Sequence, residues 1–82
     1  MTDRPTTLWK LRRDSDELAC QVRLTPHGIE VDLLSGGRIV VTRAFATDSE
    51  ALSWADDKRQ RRETEGWQPV ALAAEEGQPP VA

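Results

Sequence analysis

The residue types that most often carry chemistry are few and isolated in this sequence. Cys20 is the only cysteine and His27 the only histidine, so one chain can form neither an internal disulfide nor a cysteine and histidine zinc site. Cys20 alternates with Leu18 and Val22, which predicts a buried, inert thiol. His27 stands in a Pro-His-Gly turn with no nucleophile or orienting acid near it in sequence. We therefore expect no catalytic residues, no metal and no cofactor, and predict that the protein is not an enzyme.

Two further patterns resemble ligand-binding loops only superficially. Asp14, Asp16 and Glu17 are acidic, but their spacing and the missing glycine do not match a twelve-residue calcium loop. Gly36 and Gly37 precede a strand-like run and lack the Lys-Ser/Thr and helix start of a phosphate loop. Both segments are better interpreted as turns.

Basic residues form the most conspicuous charged groups. Acids exceed bases by 14 to 11, for a net charge of -3, so the chain has no overall positive field that would attract nucleic acid. In the Lys58–Arg62 cluster, Asp57 and Glu65 each lie four residues from Arg61, a spacing that favours ion pairs along a helix. The alternative is nucleic-acid binding, and its candidate contacts are Lys10, Arg12, Arg23, Arg38, Lys58, Arg59, Arg61 and Arg62.

The length of 82 residues predicts a single small domain. No apolar run approaches the roughly 20 residues that cross a bilayer, and the N-terminus lacks the apolar core of a secretion signal. We expect a cytoplasmic protein that does not bind membranes. The predicted organisation is a flexible arm over residues 1–6, a folded domain over 7–67 and a flexible tail rich in proline, alanine and glutamate over 68–82.

Four segments read as strands. Residues 8–12 form the first, and strict apolar alternation marks 18–25 and 29–33, while 38–45 forms the fourth. Turns at His27-Gly28 and at Ser35-Gly36-Gly37 predict Leu24 opposite Val31, Val22 opposite Leu33, Arg23 opposite Asp32, Leu33 opposite Ile39 and Val31 opposite Val41. In the fourth strand, Arg43 falls among the apolar side chains on the predicted buried face of the sheet, which indicates a position at the margin of the core or beside a bulge.

A helix should follow the strands. Thr47 and Glu50 form a capping box at its start, and Gly66 ends it, with Trp67 folding back on the last turn. The predicted fold is therefore α+β, an antiparallel three- or four-stranded β-meander with one C-terminal α-helix packed on one face. The predicted buried set is Trp9, Leu11, Leu18, Cys20, Val22, Leu24, Ile29, Val31, Leu33, Ile39, Val41, Phe45, Leu52 and Trp54.

The junction between the last strand and the helix resembles a known pattern. Residues 45–55 read Phe-Ala-Thr-Asp-Ser-Glu-Ala-Leu-Ser-Trp-Ala. They are similar to the Phe-x-Thr-x-x-Glu-Ala-x-x-Trp-Ala junction of small bacterial strand-strand-strand-helix domains, which include the arm-type DNA-binding domain of tyrosine integrases and uncharacterised small protein families. The resemblance implies this fold and, for the integrase domain, a sheet that enters a DNA major groove. Glu30 and Asp32 on the solvent face of the sheet would oppose that use here.

Exposed apolar residues point to a different function. Leu34 and Val40 fall on the face of the sheet that should contact water, Leu8 lies on an adjacent strand, and Trp67 follows the helix. Such residues commonly mark a protein contact. We predict a non-enzymatic protein-interaction module that forms a homodimer through the sheet edge or helix end, or binds another protein, with Leu8, Leu34, Val40 and Trp67 as candidate interface residues.

Overall fold

One five-stranded sheet and one helix make up the fold. The computed structural model describes residues 5–72. Its elements are β1 (Thr6–Arg13), β2 (Asp16–Thr25), β3 (Gly28–Ser35), β4 (Arg38–Phe45), α1 (Asp48–Thr64) and β5 (Gln68–Pro69). All neighbouring strands are antiparallel, in the order β4-β3-β2-β1-β5. The predicted α+β fold, a meander followed by one C-terminal helix, is confirmed. We call the side of the sheet that carries α1 the helix face and the other side the outer face.

The hairpin between β2 and β3 turns one residue earlier than predicted. Thr25 pairs with Gly28, so residues 26–27 form the turn, and Leu24 lies opposite Ile29. The predicted register is therefore wrong by two residues. Gly28 is the first residue of β3, and a Cβ at this position would lie 2.7 Å from the carbonyl oxygen of Phe45 in β4, which is why a glycine is needed there. A shift of two keeps every side chain on its predicted face, since strand side chains alternate with a period of two.

The turn between β3 and β4 consists of Gly36 and Gly37 alone, because Ser35 pairs with Arg38. Both glycines have positive φ angles, 59° and 86°, as a two-residue turn of this twist requires. The predicted three-residue loop is wrong, and so is the register that followed from it. Leu33 lies opposite Val41, not Ile39.

A β-bulge interrupts β4 just after this turn. Leu34 pairs with Ile39 and Leu33 pairs with Val41, which leaves Val40 as the extra residue. The two-residue turn places Ile39 on the outer face, beside Leu34, and not on the predicted helix face, while the bulge returns Val41 to the helix face. Arg43 stays on the helix face, as predicted, with a bulge in the same strand.

The helix begins and ends where the sequence predicts. The hydroxyl of Thr47 accepts a hydrogen bond from the amide of Glu50 at 3.2 Å. Gly66 adopts a φ of 99°, and the amide of Trp67 donates to the carbonyl of Arg62 at 3.1 Å. A positive φ directly after the helix reverses the chain at low cost only for glycine.

A short fifth strand lies at the start of the segment that was predicted to be a flexible tail. Residues 68–70 continue alongside β1, where the amide of Val70 donates to the carbonyl of Lys10 at 2.9 Å. The reversal at Gly66 and the burial of Trp67 bring the chain to this edge, which composition alone did not indicate. At the other end of the domain, β1 begins at Thr6, the last residue of the predicted N-terminal arm. The rest of the predicted arm and tail, 1–4 and 73–82, lies outside the described residues.

The core lies between α1 and the middle of the sheet. Its buried apolar residues are Trp9, Leu11, Cys20, Ile29, Val31, Ala51, Ala55 and Trp67, and its half-buried neighbours are Leu8, Leu18, Val22, Leu33, Phe45 and Trp54. The indole Nε1 of Trp9 donates to the carbonyl oxygen of Ala55 at 3.0 Å. Alanine at both buried helix positions lets α1 approach the strands closely, so the backbone itself becomes the hydrogen-bond partner of Trp9.

Four predicted core residues are exposed: Leu24 by 69%, Ile39 by 56%, Leu52 by 51% and Val41 by 38%. Leu24 lies two residues beyond Val22, where the pairing with β1 begins. Leu52 flanks the buried stripe of Ala51 and Ala55, at the margin of the contact with β1 near Leu8 and Trp9. Ile39 is exposed because it lies on the outer face. Val41 lies on the helix face but is exposed because one helix, about 10 Å wide, spans only two or three strands spaced about 4.8 Å apart.

Candidate interaction site at the sheet edge

The two edges of the sheet differ in length and in chemistry. At one edge, β5 contains only Gln68 and Pro69, and proline has no backbone N–H to offer a further strand. At the other edge, β4 has eight residues and no proline. Among the described strands its hydrogen-bonded neighbour is β3 alone. Natural proteins usually shorten or block such an edge, because its unpaired backbone groups can bind another strand.

Strand β4 is exposed along almost its whole length. Seven of its eight residues are exposed, and only Phe45 at its end is half-buried. Phe45 meets Trp54 of α1 with ring centroids 5.8 Å apart. Toward the start of the strand, Ile39, Val40 and Val41 are all exposed, Val40 by 59%. Three consecutive β-branched apolar residues therefore lie at the open edge.

Cationic side chains surround this apolar run. The guanidinium of Arg43 lies 5.7 Å from the centroid of the Trp54 ring, and the ammonium of Lys58 lies 5.3 Å from the same centroid. Within residues 5–72, Arg38, Arg43 and Lys58 form no ion pair with a carboxylate. The open edge is thus locally positive in a chain whose net charge is -3.

A buried carboxylate on the neighbouring strand β3 forms a hydrogen bond with β4. Asp32 on the outer face of β3 is only 1% exposed. It accepts hydrogen bonds from Arg23 Nε at 2.9 Å, from Arg23 Nη2 at 3.2 Å and from the hydroxyl of Thr42 at 2.7 Å. Burial by itself raises the pKa of Asp32, but the hydrogen bonds from Arg23 and Thr42 outweigh burial and lower the pKa below its ordinary value. The predicted contact between Arg23 and Asp32 is confirmed, although Gln21 is the residue directly opposite Asp32.

The predicted interface residues separate into two groups. Leu34 and Val40 lie near the same end of the sheet, where Leu34 is half-buried on the outer face next to Ile39. Leu8 packs against the core instead, at a bulge of β1. Trp67 is buried, with the guanidinium of Arg13 4.7 Å from its ring centroid, so the expectation that it is exposed is wrong. Residues after a helix-ending glycine often pack on the last turn, and that signal applied here.

The edge includes two residues that sequence reasoning assigned to the core, Ile39 and Val41. The predicted register placed them opposite Leu33 and Val31, and hence on the covered face of the sheet. For Val41, the signal that could have indicated exposure is the narrow apolar stripe of α1, where Ala51 and Ala55 are the buried residues. A stripe this small cannot cover four strands.

Most of the candidate nucleic-acid contacts are bound to carboxylates. The hydrogen bond from Arg12 lowers the pKa of Glu17, and the one from Arg59 lowers the pKa of Asp56. Arg61 pairs with Asp57 as predicted, whereas Arg62 takes the partner predicted for Arg61, Glu65. Lys10 is half-buried in β1, while Arg38 and Lys58 belong to the positive edge. The ion pairs are Arg12–Glu17, Arg23–Glu30, Arg23–Asp32, Arg59–Asp56, Arg59–Glu63, Arg61–Asp57 and Arg62–Glu65.

The residues with nucleophilic or acid–base potential occupy unfavourable environments for that chemistry. Burial raises the pKa of the Cys20 thiol to about 12, so this side chain is not a nucleophile near neutral pH. His27 is exposed in the β2–β3 turn, where its amide donates to the Thr25 hydroxyl at 3.2 Å. Over residues 5–72, no three histidine, cysteine or acidic side chains are grouped so that they could hold a metal ion.

Comparison with known protein families, with curated proteins and with solved structures finds no match to this chain. The resemblance at the junction of β4 and α1 therefore stays a prediction. None of the described helices is long and apolar enough to cross a membrane.

Proposed function

We propose that this protein is a non-enzymatic interaction module that self-associates by pairing β4 with β4 of a second copy. The observation that carries the proposal is the open, eight-residue edge with Ile39, Val40 and Val41 exposed on it. Pairing would satisfy the outward backbone groups of β4 and remove this apolar surface from water. Strand addition of this kind is a recurring mode of protein recognition.

The inequality of the two edges favours a dimer over an open filament. A two-fold contact uses the same surface on both copies and closes on itself. Once β4 is paired, the opposite edge carries the two-residue β5 beside Leu11 and Arg12, and Pro69 has no backbone N–H to offer a further strand there. An interface of one strand pair is small, below about 1,200 Å², and such interfaces are typically weak or transient.

Light scattering over a concentration series up to about 1 mM tests the proposal. We expect the mass to rise from one copy toward two and no further. Val40→Lys should weaken the association at least about tenfold, equivalent to about 1.4 kcal/mol, because it places a charge in the contact. Leu24→Lys is the matched control, since Leu24 is equally apolar and exposed but lies on β2. A strict monomer throughout, or equal weakening by both variants, would contradict the proposal.

Salt separates this function from nucleic-acid binding. Two copies of net charge -3, each with a positive edge, repel one another, so added salt should strengthen the dimer. A protein that contacts phosphates loses affinity steeply as salt rises. The ion pairs along α1 and on the outer face count against the nucleic-acid alternative. A mobility shift at about 0.05 M salt that vanishes at about 0.5 M would favour that alternative.

A further inference from the structure

We infer that Thr42 lies on the two-fold axis of the dimer, directly opposite Thr42 of the second copy. This inference rests on the proposed self-association and specifies how the two strands align. It follows from three features of β4: the face of each side chain, the position of the bulge and the position of the charges.

The symmetry restricts the possible alignments. A two-fold axis that relates two antiparallel edge strands runs perpendicular to the sheet, so both helices remain on the same side. Residues that face each other across the new pair must then lie on the same face of the sheet. In a strand with a period of two, this condition holds only when one residue pairs with its own copy.

The bulge limits the length of regular strand. Ile39 lies on the outer face and Val41 on the helix face, with Val40 between them as the extra residue. An alignment centred on Val40 would place Ile39 opposite Val41, on opposite faces. An alignment centred on Val41 would leave Val41 as the only regularly paired residue, because its neighbour toward the turn is the bulge residue Val40. The centre must therefore lie within the regular stretch that follows Val41.

Charge and length select among the remaining centres. A centre at Arg43 would place two guanidinium groups directly opposite each other, which is destabilising. A centre at Ala44 would move Val41 opposite residue 47, beyond the end of β4. With Thr42 at the centre, Val41 lies opposite Arg43 of the second copy, and Val40 lies near Ala44. Regular pairing ends at the bulge, because Ile39 and Phe45 lie on opposite faces of the sheet. This alignment covers two of the three exposed apolar residues and opposes no like charges.

Disulfide cross-linking tests the alignment. Opposed residues in an antiparallel pair have Cα atoms about 4.5–5.5 Å apart, within the range that a disulfide spans. Thr42→Cys should therefore form a covalent dimer under mild oxidation. Ala44→Cys is the matched control, because its two copies would be roughly 14 Å apart, four residues out of register. The wild-type chain should not cross-link, since its only thiol, Cys20, is buried.

A second pair of variants does not depend on Thr42, whose hydroxyl donates to Asp32. Val41→Cys and Arg43→Cys should cross-link to each other when mixed, at least about tenfold faster than either variant alone, whose copies would be about 8 Å apart. Faster cross-linking of Ala44→Cys than of Thr42→Cys would overturn the alignment. Absence of cross-linking in all these variants, in a chain that light scattering shows to be dimeric, would also overturn it while leaving self-association intact. A monomer by light scattering would instead remove the proposed function.

Discussion

The buried carboxylate behind β4 provides the sharpest test of how this small domain is stabilised. Asp32→Asn keeps the size of the side chain but replaces one carboxylate oxygen with an NH₂ group. Because Arg23 presents only donors, the new NH₂ group would face a donor or leave the Thr42 hydroxyl without its acceptor. The variant thus disrupts hydrogen bonds that the wild-type chain makes at 2.7–3.2 Å.

The expected loss follows from the burial of the two partners. Removing one member of a fully buried ion pair costs about 3–5 kcal/mol. Arg23 is one-third exposed and keeps Glu30 at 2.8 Å, so water and Glu30 compensate part of that loss. We expect the free energy of unfolding to fall by about 2–3 kcal/mol at pH 7. For a domain of this size, that corresponds to a drop in Tm of roughly 10–20 °C.

The pH dependence follows from the lowered pKa of Asp32 in the folded chain. A carboxyl group with a lowered folded pKa contributes its stability above its unfolded pKa, about 3.9, and loses that stability as the pH falls through the folded value. The difference between wild type and Asp32→Asn should therefore be constant from about pH 7 to about pH 5 and shrink below about pH 4.

Urea unfolding followed by circular dichroism measures both effects. Asp57→Asn is the matched control, because the Asp57–Arg61 pair is more than half exposed, and exposed pairs contribute about 0–1 kcal/mol. The reasoning is refuted if Asp32→Asn is as stable as Asp57→Asn, or if its deficit is the same at about pH 3 as at about pH 7.

Three further predictions concern the packing of the core. Gly28→Ala should lower the free energy of unfolding, measured in urea, by more than about 2 kcal/mol. The reason is that φ is 139° and the new Cβ would approach the Phe45 carbonyl oxygen to 2.7 Å. An unchanged stability would refute the close approach. Leu52→Ala should lower the free energy of unfolding by less than about 1 kcal/mol, whereas Leu11→Ala should lower it by about 2–5 kcal/mol, since Leu11 is fully buried. Similar losses in the two variants would contradict the exposed position of Leu52. Iodoacetamide at about pH 8 should label Cys20 only at the rate at which the domain opens, and labelling as fast as that of the unfolded chain would show that the thiol is accessible.

The local sequence pattern was sufficient to predict the strands, the helix and their order along the chain. Alternation at Leu18, Cys20 and Val22 identified the helix face of β2 even though the register was wrong, because an error of two residues does not change the face. The capping residue Thr47 and the terminator Gly66 identified the ends of α1 for a similar reason. Their hydrogen bonds and φ angles involve residues close in sequence, so no distant contact is needed to establish them.

Local pattern could not show which apolar side chains are covered. Val31 and Val41 occupy equivalent positions in alternating strands, yet Val31 is fully buried and Val41 is exposed. Their difference depends on where α1 lies across the sheet, and that position is set by Ala51, Ala55 and the hydrogen bond of Trp9. Likewise, Trp67 was expected at the surface because its cover, the side chain of Arg13, comes from 54 positions earlier in the chain.

Only part of the candidate edge could be predicted before the tertiary contacts were known. Val40 and Leu34 stood out because they break the alternation of apolar and polar residues, which is a property of the sequence. Ile39 joined them because the two-residue turn places it opposite Leu34, and the opposite edge carries a two-residue strand that contains a proline. Secondary structure here follows from interactions over a few residues, whereas burial and the open edge follow from the width of one helix across five strands.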